Sequence, residues 1–438
     1  MMQVLWVQHI LHRPSNRAHA PHLHIATPPH RNRQIQSTKD LLVQFSHRTG
    51  EQSLNALSLR SQQLKEQGIS VLNLNDSNPT HFGLSVHGSD FVYTADPHGD
   101  KSARDALISY LEQRYNRTLS ADNLYILSST SQAYAWLMML LCDPSDRILF
   151  PQPGYPLIES ICALTSAHAV SYRLSYDGSW MIDYVSIEQA LERYNQPGAE
   201  HPIKAIVLIN PNNPTASYVK AEERERIISL CQRYDVAIIA DEVFYDFPLD
   251  AFDSRSRWAG ENSVLTFALD GFSKMLAAAD VKIGWIYASG PHEMLEEAVR
   301  RLDYIADDFL PMSSLITAQI PALLTAADNQ TQNIAVRCQG NYEWLKNYTR
   351  NTSATRGLVS VLRAEGGWSA LLRLPSSLDD DFVGERLLDT LHAMSAPGYF
   401  FDFHANGYMA ISLLPEAKIF STIMTKTIDV IESMIDKI

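Results

Sequence analysis

Three short apolar runs in the middle of the chain limit what it can fold into. Residues 204–209, 236–240 and 264–269 are rich in β-branched and aliphatic side chains, and a helical pattern at 222–234 separates the first two runs. A near-continuous apolar run is typical of a strand buried on both faces, as in a parallel sheet covered by helices. Polar residues follow each run, and open α/β sheets bind ligands at the carboxyl ends of their strands. We therefore expect an α/β fold with a ligand site at that edge.

The length and composition predict a two-domain globular protein. A chain of 438 residues exceeds what one hydrophobic core usually organises. Its hydrophobic content of 45% and charged content of 19% are ordinary for a globular enzyme. The formal net charge of −13 argues against a nucleic-acid partner, which needs concentrated positive charge. Because the longest apolar runs are too short to span a bilayer, we expect a cytoplasmic protein with no membrane partner.

The cysteines indicate neither a disulfide framework nor a metal site. Cys142, Cys162, Cys231 and Cys338 are scattered and lack the close pairing that metal sites use. All four fall in apolar or helical stretches. We expect buried, reduced thiols, which fits a cytosolic location, and no bound metal.

Residues 1–39 differ in kind from the rest of the chain. They contain no acidic residue, five Lys or Arg residues, six of the fifteen histidines and four prolines. Such a composition does not pack a core. An organellar leader or a metal-binding histidine tract is an alternative, but the prolines interrupt any amphipathic helix and the histidine spacing is irregular. We predict that residues 1–50 form a disordered extension of unknown function.

Four short motifs occur in order around Lys274, which follows the third apolar run. They are Asn210-Pro-Asn-Asn-Pro-Thr215, Ala240-Asp-Glu-Val-Phe-Tyr245, Ser273-Lys274 and Lys282-Ile-Gly-Trp285. Together they resemble the fold-type I pyridoxal phosphate enzymes, specifically the aminotransferase class I/II family, from about Asn73 to the C-terminus.

The resemblance implies a particular domain arrangement. It predicts a homodimer whose large α/β domain has a mostly parallel central sheet flanked by helices. It also predicts a small α+β domain, built from the C-terminus and an N-terminal segment. We assign the N-terminal segment, packing on the small domain, to residues 51–92 and the large domain to 93–310. The interdomain helix and the small domain occupy 311–438.

The resemblance gives Lys274 and Asp241 the catalytic roles. Lys274 would form a Schiff base with pyridoxal 5'-phosphate and, once substrate releases it, act as the general base. An ordinary lysine has a pKa of about 10.4, so this chemistry needs surroundings that lower the pKa. Asp241 would keep the pyridine nitrogen protonated, which makes the ring an electron sink. Asn213 would hydrogen-bond the phenolic oxygen of the ring.

The resemblance also predicts a phosphate site. Its candidate residues are Ser129, Thr130, Ser131, Ser273 and Lys282. The first three open a helix, whose N-terminus offers unpaired N–H groups and a positive dipole end, although ordinary N-capping is the alternative. This chain departs from the family at Thr130, where glycine is usual, and at Gly271, where serine is common. It also has Lys282 in place of an arginine, which keeps the charge but loses the bidentate fork.

Three tyrosines are further candidates for the cofactor site. Tyr155 would stack on the pyridine face, and Tyr93 would reach the cofactor phosphate of the neighbouring subunit. Packing of the ring in a turn or a loop is the alternative for both. The family normally has a tyrosine three residues after the aspartate, where this chain has Phe244. Tyr245, one residue later, is a candidate for the same hydrogen bond to the phenolic oxygen.

A departure near the C-terminus bears on the substrate. The family usually holds the substrate carboxylate with an arginine at the position where this chain has Ala410. No arginine follows Arg386, so Arg363 and Arg373 are the nearest candidates to replace it. Otherwise the substrate is an amine or an unusual amino acid. We expect transfer of an amino group between an amino acid and a 2-oxo acid, with small or apolar donors favoured.

Two rival functions remain open. A lyase or decarboxylase that uses pyridoxal phosphate would share the same cofactor residues. A catalytically decayed regulatory protein is the other rival, but Lys274, Asp241 and Asn213 are all retained, and no helix-turn-helix or basic segment is appended. Taken alone, Lys274 would be interpreted as an exposed loop lysine and Asp241 as a helix cap. The order of the four motifs favours the catalytic interpretation.

Overall fold

The computed structural model describes residues 43–49, 60, 63–69, 79–83, 92–351 and 358–435, and an eight-stranded sheet lies at its centre. The strands are β1 Leu124–Leu127, β2 Arg147–Gln152, β3 His168–Tyr176, β4 Trp180–Ile182, β5 Ile203–Ile209, β6 Ala237–Asp241, β7 Thr266–Gly271 and β8 Gly284–Ser289. Their order in the sheet is β1-β8-β7-β6-β5-β2-β3-β4. Strands β2, β3, β5, β6 and β7 run parallel, whereas β8 is antiparallel to β1 and β7, and β4 is antiparallel to β3.

Helices cover both faces of this sheet. The α-helices of the described residues, including those that pack on the small sheet, are α1 Lys101–Tyr115, α2 Thr130–Leu141, α3 Leu157–Leu164, α4 Tyr184–Tyr194, α5 Ala221–Tyr234, α6 Phe272–Met275, α7 His292–Phe309, α8 Ser314–Thr317, α9 Ile320–Asn351, α10 Asp380–Leu391 and α11 Ala417–Ile435. Short 3₁₀ helices occur at His47–Thr49, Pro79–Phe82, Ala121–Asn123 and Gly398–Phe401. One face of the sheet packs on α2, α3 and α7, and the other packs on α1, α4, α5 and α9. The predicted α/β fold with a mostly parallel central sheet is confirmed.

The three apolar runs form neighbouring strands in the middle of the sheet. All seven residues of β5 are buried, because helices cover it from both sides. Ala205 and Val207 face the layer that contains α2, whereas Ile206 and Leu208 face α4 and α5. Burial on both faces explains why these strands carry apolar side chains at every position rather than at every second one.

The long helix α9 differs from the prediction. The sequence pattern predicts separate helices at 313–324 and 333–349, but the structure has one helix from Ile320 to Asn351. The polar residues between the two predicted helices lie on the exposed side of α9 or bond locally. Thr331, for example, donates to the carbonyl of Ala327 at 2.8 Å. Polar residues on a solvent-facing side do not interrupt a helix.

A small antiparallel sheet follows α9. Its strands are β9 Ser360–Val361, β10 Ser369–Arg373, β11 Ala396–Pro397 and β12 Tyr408–Ser412, in the order β11-β12-β10-β9. Ala370, Leu372 and Met409 pack in a core with α9, α10 and α11. Leu371 and Ala410 project from the opposite face, toward Trp180 of β4.

Backbone hydrogen bonds anchor one corner of the small sheet to the large one. The N–H groups of Glu365 and Gly366 both donate to the carbonyl of Ala216, at 2.8 and 2.9 Å. The N–H of Gly367 donates to the carbonyl of Phe247 at 2.8 Å. A Cβ at Gly366 would lie 2.5 Å from the ring of Tyr218, so only glycine fits at this corner.

The predicted disordered extension is too long by several residues. Residues 43–49 pack on the helices that cover one face of the large sheet: Val43 is buried in that core, and the N–H of Ser46 donates to the carbonyl of Leu140 in α2 at 2.9 Å. Arg301 of α7 donates to the carbonyl of Ser46 at 3.1 Å. The prediction for residues 1–42, and most of that for 51–92, lies outside the described residues.

Candidate active site

The carboxyl ends of β5, β6 and β7 lie side by side and bring predicted site residues to one edge. Asp241 ends β6 and pairs with the last residue of β5 and with Leu269 of β7. The N–H of Asn210 also donates to the carbonyl of Asp241 at 2.8 Å. The chain continues from β5 into the loop that carries Asn213, and from β7 into α6, which carries Lys274. The parallel pairing therefore collects three motifs that are distant in sequence.

The carboxylate of Asp241 has two hydrogen-bond donors. The hydroxyl of Tyr134 donates to Oδ2 at 3.0 Å, and the N–H of Val243 donates to Oδ1 at 3.2 Å. Burial raises the pKa of Asp241 to about 6, and the two donors together with the charge of Lys274 oppose that rise. The carboxylate is therefore ionised at neutral pH and held from two sides.

Lys274 lies in α6, a single helical turn that directly follows β7. A Cβ at Gly271, the residue before α6, would lie 2.9 Å from the carbonyl oxygen of Ile283, so a larger residue does not fit without a backbone shift. Burial lowers the pKa of Lys274, and the charge of Asp241 opposes this in part. A lowered pKa increases the fraction of neutral amine, the form that attacks a carbonyl.

Two aromatic rings flank the amine of Lys274. Its Nζ lies 5.6 Å from the ring centroid of Phe244 and 5.5 Å from that of Trp368. The two rings meet edge to face, with centroids 5.5 Å apart. Phe244 follows β6, whereas Trp368 comes from the small sheet, so the two sheets meet at the amine.

The hydroxyl-rich N-terminus of α2 lies against the same turn. Ser129 caps the helix, and its Oγ accepts a hydrogen bond from the N–H of Gln132 at 3.2 Å. A Cβ at Gly284 would lie 3.2 Å from backbone atoms of both Ser129 and Thr130, and Gly271 contacts the same glycine from the other side. The start of α2 and the Lys274 turn are thus joined through Gly284. Ser131 is exposed at this end.

Other predicted cofactor residues lie in neighbouring segments. Asn213 and Tyr155 are half-buried, and burial raises the pKa of Tyr155. Ser273 is half-buried beside Lys274. Lys282 is exposed, and within the described ranges it forms no ion pair. Their roles toward the cofactor remain predictions.

The two other predicted tyrosines have different surroundings. The N–H of Tyr93 donates to Oγ1 of Thr80 at 2.8 Å, and its role in a neighbouring subunit remains a prediction. The ring of Tyr245 packs on Tyr218, with centroids 5.3 Å apart, and the guanidinium of Arg257 lies 4.3 Å from its centroid. It lines a polar cavity of about 830 Å³. Phe244, rather than Tyr245, lies beside Lys274, and the role of Tyr245 toward the phenolic oxygen remains a prediction.

Sequence reasoning missed three residues of this site. Tyr134 carried only a weak signal, namely that a buried tyrosine hydroxyl needs a hydrogen-bond partner. Phe244 was noted only as a departure from the family. Trp368 follows a Gly-Gly pair that predicts a turn, and nothing in the local pattern indicates its contact with Lys274.

Position 410 on the small sheet carries no charge, because it is occupied by an alanine. It pairs with Leu371 of β10 and lies on the face of the small sheet that is turned toward β4. Arg373 lies on the same face, two residue positions farther from Trp368 along β10. Its guanidinium lies 4.2 Å from the ring centroid of Tyr408.

Arg363, the other candidate for holding a carboxylate, is already paired. Its Nε lies 3.3 Å from Oδ2 of Asp250, and its terminal nitrogen donates to the carbonyl of Asp250 at 3.2 Å. In this structure the guanidinium of Arg363 therefore lies against Asp250.

The side chains and backbone groups of this site fit pyridoxal phosphate. The amine of Lys274 has a lowered pKa, and the carboxylate of Asp241 is ionised on the adjacent strand. Gly271 and Gly284 let the backbone of β7 and β8 lie close to the N-terminus of α2, where N–H groups suit a phosphate. Residues 75–418 match the family described as aminotransferase class I and II.

The chain belongs to the aminotransferase class I and II family. Pyridoxal 5'-phosphate is the cofactor of this family. A pyridoxal phosphate-bound putative aminotransferase from Clostridium difficile has a similar fold, with a TM-score of 0.67 and 17% identity. That similarity covers 85% of this chain and 95% of the other.

Two curated relatives of this aminotransferase-family chain bear different activity names. Glutamate-pyruvate aminotransferase AlaA of Haemophilus influenzae is 28% identical over 253 residues, which cover 56% of this chain and 61% of the relative. S-alkyl-thiohydroximate lyase SUR1 of Arabidopsis thaliana is 27% identical over 235 residues, which cover 52% of this chain and 48% of the relative. The chain thus spans less than two thirds of the length of either relative.

Two kinds of feature are absent from the part of the chain that the structure describes. No helix among them has the length and apolar character needed to cross a membrane. The same residues contain no group of three or more His, Cys, Asp or Glu side chains that could hold a metal ion.

Proposed function

We propose that this chain is a pyridoxal phosphate-dependent aminotransferase that exchanges an amino group between an amino acid and a 2-oxo acid. The observation that carries the proposal is the juxtaposition of Lys274 and Asp241 at the ends of adjacent strands. The aminotransferase name of the Haemophilus influenzae relative supports the same reaction class.

When bound, pyridoxal phosphate supplies an aldehyde carbon that amines attack and a ring that accepts electron density. Lys274 would be the amine that holds this carbon between turnovers, and its free amine would take the proton from the α-carbon of the substrate. Asp241 would hold a proton on the ring nitrogen, and Tyr134 keeps its carboxylate oriented. Ser129 and Thr130, at the start of α2, would bind the phosphate.

Small or apolar amino acids are the donors that the charges favour. Ala410 supplies no cation, and Arg363 is paired with Asp250. A donor with two carboxylates would bring two negative charges to a region poor in unpaired cations, and an uncompensated buried charge costs about 3 to 5 kcal/mol. Alanine brings only one.

A lyase on the same cofactor is the second candidate function. The observation in its favour is the Arabidopsis thaliana relative, whose name gives it a lyase activity. The cofactor residues do not separate the two reactions, because both begin with the same bound amine.

The deciding experiment mixes the cofactor-loaded protein with L-alanine in the absence of any 2-oxo acid. An aminotransferase forms one equivalent of pyruvate per site and then stops until a 2-oxo acid is added. A lyase needs a donor with a leaving group on its β-carbon: supplied with S-methyl-L-cysteine, it continues to form pyruvate, ammonia and methanethiol without an acceptor. We expect L-aspartate to react about tenfold more slowly than L-alanine. Faster reaction of aspartate would contradict the proposed donor, and continued turnover without an acceptor would contradict the aminotransferase.

We also propose a cytoplasmic homodimer with a large domain at 93–310 and a small domain at 311–438. Separate hydrophobic cores around the two sheets support the division. In this arrangement residues 51–92 pack on the small domain, and Tyr93 reaches the cofactor phosphate of the neighbouring subunit. Light scattering of the full chain tests the dimer, since a monomeric mass would contradict it.

A further inference from the structure

Trp368 brings an indole ring from the small sheet to the amine of Lys274. It directly precedes β10, and its carbonyl accepts a hydrogen bond from the N–H of Leu413 at 2.8 Å. Its ring packs on Phe244 and Phe247, at centroid distances of 5.5 and 5.2 Å. The ring is therefore fixed by both sheets, and its centroid lies 5.5 Å from Nζ of Lys274.

The indole N–H of Trp368 is a buried donor without an acceptor. Its Nε1 is shielded from solvent, and none of the described residues accepts a hydrogen bond from it. Buried indole N–H groups usually have partners, because leaving one unpaired costs about 1 to 3 kcal/mol. The ring that carries this unpaired donor lies beside the catalytic amine.

The geometry of the reaction indicates which ligand atom this is. The amino group of a substrate must replace the amine of Lys274 at the same carbon of the cofactor. In an α-amino acid the carboxylate is attached to the carbon that bears this amino group. A donor near Lys274 is therefore near the carboxylate as well.

The charged alternatives on the small sheet are less well placed. Ala410 offers no donor, and Arg363 is paired with Asp250. Because Ser369 pairs with Ser412 and Arg373 with Tyr408, Arg373 lies at the end of β10 farthest from Trp368. It is thus also at the end farthest from the ring that contacts Lys274.

We propose that the indole N–H of Trp368 binds the substrate carboxylate, while its ring and that of Phe244 flank the substrate amine. This inference rests on the proposed function and names the residue that determines its substrate class. An uncharged N–H donor beside two aromatic rings suits an amino acid that has one carboxylate and a small apolar side chain. It offers no countercharge to a second carboxylate, so monocarboxylic amino acids are selected.

The test is Trp368→Phe in the cofactor-loaded protein, which removes the indole N–H and keeps an aromatic ring. A hydrogen bond to a charged group contributes about 1.5 to 3 kcal/mol, so kcat/KM for L-alanine should fall at least about tenfold. Ethylamine is L-alanine without its carboxylate. Its kcat/KM should change less than about twofold, because it never bonds the indole. An equal fall for both amines would overturn the proposal.

Binding of propanoate provides a readout that does not depend on turnover. Propanoate has the carboxylate of alanine and no amine, and its dissociation constant can be measured by ligand-observed NMR. We expect Trp368→Phe to weaken propanoate binding about tenfold. Unchanged propanoate binding would overturn the proposal, whether or not the wild type transaminates alanine. Failure of the wild type to form pyruvate would count against the proposed function instead.

Trp136→Phe is the matched control. The indole of Trp136 is also buried and has no acceptor among the described residues, but it packs on Phe309, with ring centroids 5.6 Å apart. The same chemical change there should leave propanoate binding and both kcat/KM values unchanged. A tenfold weakening of propanoate binding in this control would show that the effect is not specific to Trp368 and would overturn the proposal.

Discussion

At the scale of single residues, the candidate site consists of two groups with opposite pKa shifts. Burial raises the pKa of Asp241 to about 6 and lowers that of Lys274. Each charge reduces the shift of the other, so the two groups favour each other's ionised form. The aspartate still ionises at neutral pH, and the lysine is easier to deprotonate than an exposed one.

Lys274→Ala should abolish turnover and the covalent attachment of the cofactor while leaving the fold intact. Lys274 is half-buried in α6 and is not part of a hydrophobic core. Mass spectrometry after borohydride reduction should find the added cofactor mass on the wild type and on the control Lys101→Ala, an exposed lysine of α1. Cofactor mass on the Lys274→Ala protein would refute the assignment.

Tyr134→Phe should shift the pH profile of kcat. The hydroxyl of Tyr134 lowers the pKa of Asp241 by donating to its carboxylate. Removing it raises that pKa, so the acidic limb of the profile should move to higher pH by up to about one unit. Movement to lower pH would show that Tyr134 does not stabilise the ionised carboxylate.

Asp241→Asn should change how stability of the cofactor-free protein depends on pH. The folded pKa of about 6 lies above the ordinary value of 3.8, so the folded wild type binds more protons than the unfolded chain between these values. Its unfolding free energy therefore falls as pH rises through that window, by on the order of 2 to 3 kcal/mol. The asparagine variant lacks this component. Denaturant titrations at pH 4, 5, 6 and 7.5 should show the wild type losing stability relative to the variant, and parallel curves would contradict the burial of this carboxylate.

At the scale of elements, close packing of β7, β8 and α2 positions the lysine. Gly271 and Gly284 allow three backbone segments to approach where no side chain fits. The start of α2, which carries the hydroxyl residues, therefore has a fixed position relative to α6. The site depends on these glycines although neither contributes a functional group.

Gly271→Ala should destabilise the protein and weaken cofactor binding. Its Cβ would lie 2.9 Å from the carbonyl oxygen of Ile283, so the backbone must move, at a cost of roughly 1 to 3 kcal/mol. The control is Gly340→Ala in α9, where nothing lies within 4 Å and alanine favours the helix by about 1 kcal/mol. Denaturant unfolding should show a lower unfolding free energy for Gly271→Ala and a higher one for Gly340→Ala than for the wild type. A Gly271→Ala protein as stable as the wild type would show that the turn has room.

The element scale also separates what the sequence could predict from what it could not. Strands β5, β6 and β7 were predictable because burial on both faces leaves continuous apolar runs. The sequence pattern predicts two helices in place of α9, because the polar residues in its middle resemble a break between helices. The contacts of Tyr134 with Asp241 and of Trp368 with Lys274 join residues far apart in sequence, and no local pattern reports which buried groups meet. Asp241 and Lys274 themselves were predictable only because their motifs resemble a known family.

At the scale of the whole molecule, a buried ion pair connects the two sheets. The carboxylate of Glu365 accepts hydrogen bonds from the N–H of Tyr218 at 2.9 Å and from Nζ of Lys220 at 3.1 Å. The side chain of Glu365 is 2% exposed, so solvent screens this contact little. The pair lies beside the glycines that anchor the small sheet.

Glu365→Gln should destabilise the protein by roughly 2 to 4 kcal/mol, because the ammonium of Lys220 loses its buried countercharge. Glu188→Gln breaks an exposed pair with Arg233 and should cost less than about 1 kcal/mol. Denaturant unfolding measures both. Hydrogen exchange should also accelerate around residues 360–373 in the first variant, and equal effects of the two substitutions would contradict a special role for the buried pair.

The anchored corner of the small sheet has a mechanical consequence. Any rigid rotation of this sheet that keeps the bonds of residues 365–367 must have its axis near them. Displacement in a rotation grows with distance from the axis, and Trp368 is the next residue along the chain. In such a rotation the far end of β10, with Arg373, would sweep a larger arc than Trp368, which directly follows the anchored residues. The side chains at that end would therefore be displaced while the indole kept its contact with the amine of Lys274.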